Sequence, residues 1–282
     1  MVTQRGAKRV NVAATPAGRD HLLRVLLDEA AGFFDLVIDA DDASWHASTP
    51  CEGWEVRDIV GHMVQGTETY LDQYAIALEG KPAADPLGLR GYAKDLFEGA
   101  LEFREVSHAE LVHRLKTAWD RLNQVWNGLA DEQWAGLNIP HKYAGPVPQF
   151  MMVVFQLLDY TFHTWDIKKA LGQPAHLGDE AAGTLVPFMV MLQQFCFAPE
   201  RAEGLDFALG IDIDGPYGGT WQVTVKDQQI GIEEGELSEC QATLQYQDAQ
   251  EFCLAAYGRT QSGQISGDSE VVQRYQGLFF GL

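Results

Sequence analysis

The sequence predicts an N-terminal four-helix bundle followed by a small α+β domain built on an antiparallel sheet. Apolar residues recur with helical spacing as far as Phe195, and they alternate with a period of two after Leu205. The chain of 282 residues is also long enough for two domains of roughly 150 residues each. We therefore expect a flexible leader at 1–17, a helical bundle at 18–198 and an α+β domain at 199–282.

The elements of the first domain follow from apolar periodicity. Residues 1–17 show no apolar period and run into the breaker Pro16-Ala17-Gly18, which is typical of a mobile leader. Apolar side chains then recur at i, i+3, i+4 and i+7, as in amphipathic helices. Long helices are predicted at 19–39, 55–78, 111–129 and 147–171, with a shorter helix at 92–103 and a further helix at 181–195.

Alternating apolar residues and turn signals define the second domain. Strands at 207–213, 221–225 and 230–232 are separated by Gly- and Asp-containing turns, which predicts an antiparallel meander. A fourth strand is predicted at 242–246, with helices at 249–257 and 269–280 on one face of the sheet.

Composition excludes several classes of function. The formal net charge of −20 repels phosphate backbones and anionic lipid, so we expect neither a nucleic-acid nor a membrane partner. No window approaches the roughly 20 apolar residues of a membrane span. The 4 cysteines form no CxxC pair and are typical of free thiols in a reducing compartment. The sequence therefore predicts a soluble, cytoplasmic protein.

A stripe of polar residues crosses the otherwise apolar helix predicted at 147–171. Gln156, Asp159, His163 and Asp166 are spaced i, i+3, i+7 and i+10, which places them within about 80° of the helix surface. Asp159 and His163 lie one turn apart, so a carboxylate oxygen and an imidazole nitrogen can reach the same divalent metal. The alternative is an ordinary solvent-facing stripe. Short ligand-type side chains in place of Lys, Glu and Arg favour the metal.

The remaining histidines and cysteines leave further alternatives open. His62 lies on the shoulder of the apolar stripe of the helix predicted at 55–78, and Gly66 leaves space one turn away. Periodicity alone fits a hydrogen-bonded boundary histidine as well as a ligand. His141, in a Pro-His-Lys-Tyr segment, could reach a pocket. Cys51 precedes a helix N-terminus, so its thiol is either packed or reactive.

Two segments resemble a known family. The stretch TPCEGWEVRDIVGHM and the stretch GPVPQFMMVVFQLLDYTFHTWDIKKALG are similar to the two ligand segments of the mycothiol-dependent maleylpyruvate isomerase family, a branch of the DinB-like four-helix proteins. The C-terminal part, through QISGDSEVVQRYQGLF, resembles a sterol-carrier-type α+β domain. The resemblance implies that His62, Asp159 and His163 bind a divalent metal, with zinc as the first choice. Two departures are Asp159, where the family usually has Glu, and Thr164, where Gly is common.

The resemblance also implies a reaction. A metal-bound mycothiol would lose its proton and attack a small electrophile, giving thiol addition, S-transfer or thiol-assisted cis–trans isomerisation. Arg259 is the candidate for binding a substrate carboxylate, and Arg274 is the second candidate. Four further residues are expected near the metal or the substrate: Gln156, Asp166, Trp165 and Gly66. The expected partners are a small-molecule substrate and a low-molecular-weight thiol, and the expected state is a monomer or homodimer.

Two other classes of function remain open at this point. One is a metal-assisted lyase, cyclase or hydrolase of specialised metabolism that uses no thiol. The other is a non-catalytic protein in which the bundle binds a metal or a ligand. The substrate itself is not defined by fold or by metal ligands, because specificity depends on pocket residues.

Overall fold

The computed structural model describes residues 12–280. Its internal contacts divide the chain into two compact units, Ala13–Leu177 and a second unit that contains Gly178–Leu282. The boundary predicted from the sequence, at residue 198, lies one helix later than this division. The helix before that point, Asp179–Phe195, packs mainly on the helix Ala249–Ala256 and a sheet strand of the second unit. Because its apolar residues have helical spacing, periodicity alone does not distinguish this helix from those of the bundle.

The first unit is helical, as predicted. Its four long helices pack in pairs, with α1 on α7 and α3 on α5. The elements in chain order are α1 (Pro16–Val37), α2 (Asp42–Trp45), α3 (Val56–Leu78), α4 (Tyr92–Leu101), α5 (His108–Gly128), α6 (Asp131–Gly136), β1 (Asn138–His141), β2 (Gly145–Pro148) and α7 (Gln149–Ala170). The strands β1 and β2 form an antiparallel hairpin that the sequence analysis missed.

The start of α1 corrects the predicted leader. The helix begins at Pro16, and the Thr15 side chain accepts a hydrogen bond from the Gly18 backbone amide at 3.1 Å. Proline is favoured in the first helical turn because its missing N–H needs no partner there. The Pro-Ala-Gly segment is therefore the start of a helix. The prediction of a breaker at this position is wrong. Residues 1–11 of the predicted leader lie outside the described residues.

Arg19 joins α1 to the C-terminal end of α5. Its guanidinium donates hydrogen bonds of 2.9, 3.0 and 2.9 Å to the backbone oxygens of Trp126, Asn127 and Leu129. The last carbonyls of a helix have no partner within the helix, and a cation also suits the negative end of the helix dipole. Arg19 therefore fixes the relative position of two bundle helices.

Aromatic side chains fill the core between these helices. The Tyr160 ring lies 5.3 Å from the Phe33 ring and 4.8 Å from the Trp119 ring, both in edge-to-face geometry. Trp126 is fully buried, and its indole N–H donates to the Tyr74 hydroxyl at 2.8 Å. Such packing holds α7 rigidly against α1, α3 and α5.

Gly61 marks a close approach between α3 and the end of α4. A Cβ at Gly61 would lie 2.8 Å from the Ala100 backbone oxygen, a contact that only a backbone shift can relieve. We therefore expect Gly61→Ala to lower the free energy of unfolding by about 1–3 kcal/mol. Urea denaturation followed by circular dichroism measures the change.

Gly66→Ala, on the same helix, is the matched control. A Cβ at Gly66 would meet no other atom within 4 Å, so alanine there should raise stability by about 0.5–1 kcal/mol through its better helix propensity. Equal effects of the two substitutions would contradict the close contact.

The second unit has a five-stranded sheet with helices α8 (Asp179–Phe195), α9 (Ala249–Ala256) and α10 (Ser269–Gln276). The strands are β3 (Phe207–Ile213), β4 (Gly219–Lys226), β5 (Gln229–Glu234), β6 (Ala242–Tyr246) and β7 (Gln264–Gly267), in the order β5-β4-β3-β6-β7.

The predicted meander and the predicted fourth strand are both present, and the predicted fold class is confirmed. The sheet is mixed, however, because β6 pairs in parallel with β3. The edge strand β7 was missed, since all four of its residues are exposed and show no apolar alternation. Within the described part of the chain, no helix is both long and apolar enough to cross a membrane.

Candidate metal centre

The polar stripe on α7 is buried. Gln156 and Asp166 are 0% exposed and His163 is 4% exposed. The alternative of an ordinary solvent-facing stripe is therefore wrong. Buried polar groups are costly unless they are paired with another polar group or with a metal.

Three of the predicted site residues converge between α3 and α7. His62 Nε2 lies 3.7 Å from Asp159 Oδ1, and the His62 and His163 ring centroids are 5.1 Å apart. One ligand atom from each of His62, Asp159 and His163 lies within 4.8 Å of the other two. The structure thus brings the three predicted ligands to one point, although they come from two helices.

Asp166 orients one of the two histidines. His163 Nδ1 lies 3.0 Å from Asp166 Oδ2, and a carboxylate can only accept, so Nδ1 carries the proton. The other ring nitrogen, Nε2, is left unprotonated and able to bind a metal. Burial lowers the pKa of His163, and the hydrogen bond to Asp166 opposes that shift. A carboxylate behind a histidine is the usual support for a metal ligand.

The turn before α3 contributes two residues that the sequence analysis did not place in the site. The Cys51 thiol donates to Asp166 Oδ2 at 3.2 Å, and Cys51, His163 and Asp166 form a second cluster of ligand-type atoms within 4.8 Å. The Trp54 ring centroid lies 5.3 Å from that of His62 and 6.1 Å from that of His163. Trp54 therefore covers both imidazoles on one side.

The donor set fits a divalent metal. Zinc binds imidazole nitrogen and carboxylate oxygen at about 2.0–2.2 Å, which places two tetrahedral ligand atoms about 3.4 Å apart. The His62–Asp159 distance of 3.7 Å is close to that value. His62 Nδ1 is buried and has no hydrogen-bond partner among the described residues, so packing against Trp54 orients this ring.

Two members of the cluster border a small cleft in the first unit. His62 and Asp159 line its wall, and Asp159 keeps 12% of its side chain exposed. Gly66 also lines the cleft, and a Cβ there would meet no atom within 4 Å, which agrees with the space expected beside His62. The other lining residues are Gln65, Thr69, Tyr70, Gln73, Tyr92, Leu96, His141, Lys142 and Tyr143.

His141 is a buried histidine on the cleft wall. The sequence had left open that this residue reaches a pocket. It lies at the end of β1, is 6% exposed, and its Nδ1 accepts a hydrogen bond from the Ala144 backbone amide at 3.1 Å. Burial lowers the pKa of His141 to about 4, although the charge of Asp159 acts in the opposite direction. The neutral ring therefore carries its proton on Nε2.

This pKa shift makes stability depend on pH. Below pH 6.5 the unfolded chain protonates residue 141, whereas the folded protein does so only near pH 4, so acidification favours the unfolded state. Between pH 7 and pH 4, we expect wild type to lose up to about 3 kcal/mol more of its free energy of unfolding than His141→Gln does. Urea titrations at stepped pH measure this difference. Parallel pH profiles would contradict it, and His113→Gln, at an exposed position, is the control.

The first unit matches a known protein family. The profile of the mycothiol maleylpyruvate isomerase N-terminal domain family matches residues 26–168. The chain belongs to this family. The matched segment contains the three converging residues and two of their neighbours, Asp166 and Trp54. No curated protein matches the sequence.

Solved structures of the family's namesake share the fold of this chain. Two crystal structures of mycothiol-dependent maleylpyruvate isomerase, one of them a histidine-to-alanine mutant, each align with a TM-score of 0.61 and 14% sequence identity. Each alignment covers 89% of this chain and 94% of the other chain. At this level of identity the likeness concerns the fold.

The remaining predicted site residues lie in different surroundings. Gln156 is buried beside Thr67, whose hydroxyl donates to its Oε1 at 3.4 Å. Trp165 is buried under the Lys169 ammonium group and is not among the residues that line the described cleft. Arg259 lies in the second unit, with its guanidinium 5.1 Å from the centre of the Tyr257 ring. Arg274 pairs with Glu270 at 3.2 Å along α10. The proposed role of Arg259 toward a substrate carboxylate stays a prediction.

Proposed function

We propose that this protein is a metal-dependent enzyme that uses mycothiol for thiol addition, S-transfer or thiol-assisted cis–trans isomerisation of a small electrophilic substrate. One observation carries the proposal: His62, Asp159 and His163 converge within the family-defining segment, and the first two of them line a cleft. Family membership supports a thiol-dependent reaction. The use of a metal and the electrophilic nature of the substrate are parts of what we propose.

The three ligands favour a catalytic centre over a structural one. Structural zinc sites usually have four protein ligands, whereas three ligands leave a position open for a substrate. When bound here, zinc would stabilise the thiolate form of a thiol and so supply a nucleophile at neutral pH.

Side chains of this protein prepare that position. Asp166 keeps the proton of His163 on Nδ1, so Nε2 stays available as a ligand. Trp54 packs over both histidines and is itself stacked on Phe97 at 6.2 Å, which limits access of water from that side. The cleft beside His62 and Asp159 gives a ligand access to these two residues.

Metal content and thiol binding together test the proposal. Purified protein should contain about one equivalent of zinc or another divalent metal by elemental mass spectrometry. Isothermal titration of the metal-loaded protein should then show saturable binding of mycothiol, with much weaker binding of glutathione and no binding after metal removal.

The alternatives give different results in the same experiment. A metal without mycothiol binding would overturn the thiol reaction and favour the thiol-independent lyase, cyclase or hydrolase. Absence of both would overturn the catalytic centre itself and favour a non-catalytic role.

A further inference from the structure

His141 presents one hydrogen-bond donor to the cleft. Its Nδ1 already accepts from the Ala144 amide, which fixes the neutral ring in the tautomer that carries a proton on Nε2. Within residues 12–280, Nε2 has no hydrogen-bond partner, and His141 lines the same cleft as His62 and Asp159. The Nε2–H group is therefore available to a ligand that occupies the cleft.

Aromatic rings hold this imidazole in place. Ring centroids of Tyr70, Tyr143 and Phe155 lie 6.1, 6.0 and 5.3 Å from that of His141, and Tyr92 lies at 6.5 Å. Packed aromatic neighbours restrict rotation of the ring, so the donor is preorganised. The three tyrosines also line the cleft.

Two polar side chains that follow His141 in the sequence are already engaged. Tyr143 donates its hydroxyl proton to Asp95 at 2.9 Å, and the Lys142 ammonium group lies 3.3 Å from the same carboxylate. His141 also stays neutral, because burial lowers its pKa to about 4. The cleft wall thus offers a neutral donor whose strength does not change across the physiological pH range.

We propose that His141 donates a hydrogen bond from Nε2 to the carbonyl oxygen of an α,β-unsaturated substrate and stabilises the enolate formed during thiol addition. The proposal rests on the thiol reaction proposed above. It assigns a further catalytic residue to that reaction.

The electrons balance without an oxidant or reductant. The thiolate forms an S–C bond at the β-carbon, and the C=C electron pair moves so that the carbonyl oxygen becomes an enolate oxygen. His141 keeps its proton throughout, and in a net addition the α-carbon of the enolate takes its proton from water. Rotation about the former double bond and return of the electron pair then expel the thiolate and restore the alkene.

Two electrophiles separate this role from a structural one. Addition of mycothiol to methyl vinyl ketone develops an enolate, whereas displacement of iodide from iodoacetamide by the same thiol does not. In zinc-loaded full-length protein, His141→Phe keeps an aromatic ring but removes the donor. We expect it to slow the enzymatic addition about 100-fold, as loss of a single oxyanion donor does elsewhere, and to leave the displacement within about threefold.

Two controls bracket the result. His141→Gln retains an N–H donor near the position of Nε2 and should recover addition to within about tenfold of wild type. His113→Phe, at an exposed position on α5, should change neither reaction. If His141→Phe slows both reactions equally, or neither, the donor role is overturned.

An independent readout is the protonation of the ring. Nitrogen-15 NMR of the zinc-loaded protein at pH 7 should show residue 141 neutral and protonated on Nε2. A cationic ring, or a proton on Nδ1, would overturn the proposal whether or not turnover is seen. Wild-type protein that accelerates neither thiol reaction would overturn the proposed function and this proposal together, whereas normal wild-type rates with an unaffected His141→Phe overturn this proposal alone.

Discussion

Replacing His163 by asparagine should abolish metal binding while leaving the protein folded. The asparagine side-chain N–H lies near the position of the histidine Nδ1 and can still donate to Asp166, but nothing replaces the metal-facing Nε2. We expect the affinity for zinc to fall by more than the roughly 100-fold that loss of a supporting residue costs, because a ligand itself is removed. Competition with a chromophoric chelator measures the affinity.

His163→Ala provides the comparison. It removes both the ligand and the donor to Asp166, whose side chain is 0% exposed and would keep only its other contacts, such as that with Cys51. We therefore expect His163→Ala to lose the metal and also about 1–3 kcal/mol of stability in the metal-free state, whereas His163→Asn keeps most of that stability. Zinc binding at wild-type affinity by either variant would refute the assignment of His163.

The sequence could predict that the polar residues of α7 share one face because they lie on one helix. Spacing of i, i+3, i+7 and i+10 is set by helix geometry, so it predicts a common face without knowledge of the fold. Asp159, one methylene shorter than the usual glutamate, still comes within 3.7 Å of the His62 imidazole. The placement of α3 against α7 sets this distance, and no local pattern encodes that placement.

Contacts between distant segments explain what the sequence analysis missed. Cys51 meets Asp166 across 115 positions of sequence. Only the family motif favoured a metal-binding role for His62. Periodicity places this residue at the edge of the apolar face of its helix, where a hydrogen-bonded histidine is equally expected. His141 reaches the cleft through the hairpin of β1 and β2, a short element with too few residues to show alternation.

Local patterns also predict most elements of the fold but not how they pair. The position and number of the long helices followed from apolar periodicity, as did the meander of β3, β4 and β5. The direction of β6 relative to β3 depends on the path of the connecting segment, which carries no periodic signal. Local patterns define elements, whereas pairing and unit boundaries depend on long-range contacts.

Asp166→Asn should weaken metal binding about 10- to 100-fold, as expected when a carboxylate behind a metal-binding histidine loses its charge. The amide oxygen can still accept from His163 Nδ1, so ring orientation is retained while the imidazole becomes a poorer donor to the metal. Chelator competition measures the loss, and Asp28→Asn, at a site 73% exposed on α1, is the control.

A second cluster makes this prediction decisive. Cys51, His163 and Asp166 could themselves hold a metal, in which case Asp166 would be a ligand and its loss would cost as much as that of His163. Cys51→Ala separates the two arrangements. If the metal is bound by His62, Asp159 and His163, this variant should keep its zinc affinity within about threefold of wild type. The Cys51 thiol is then only a weak second donor to the carboxylate that supports His163. If Cys51→Ala loses zinc while His62→Ala retains it, the metal is bound by the cluster that contains Cys51. The cleft would then have no metal-bound nucleophile.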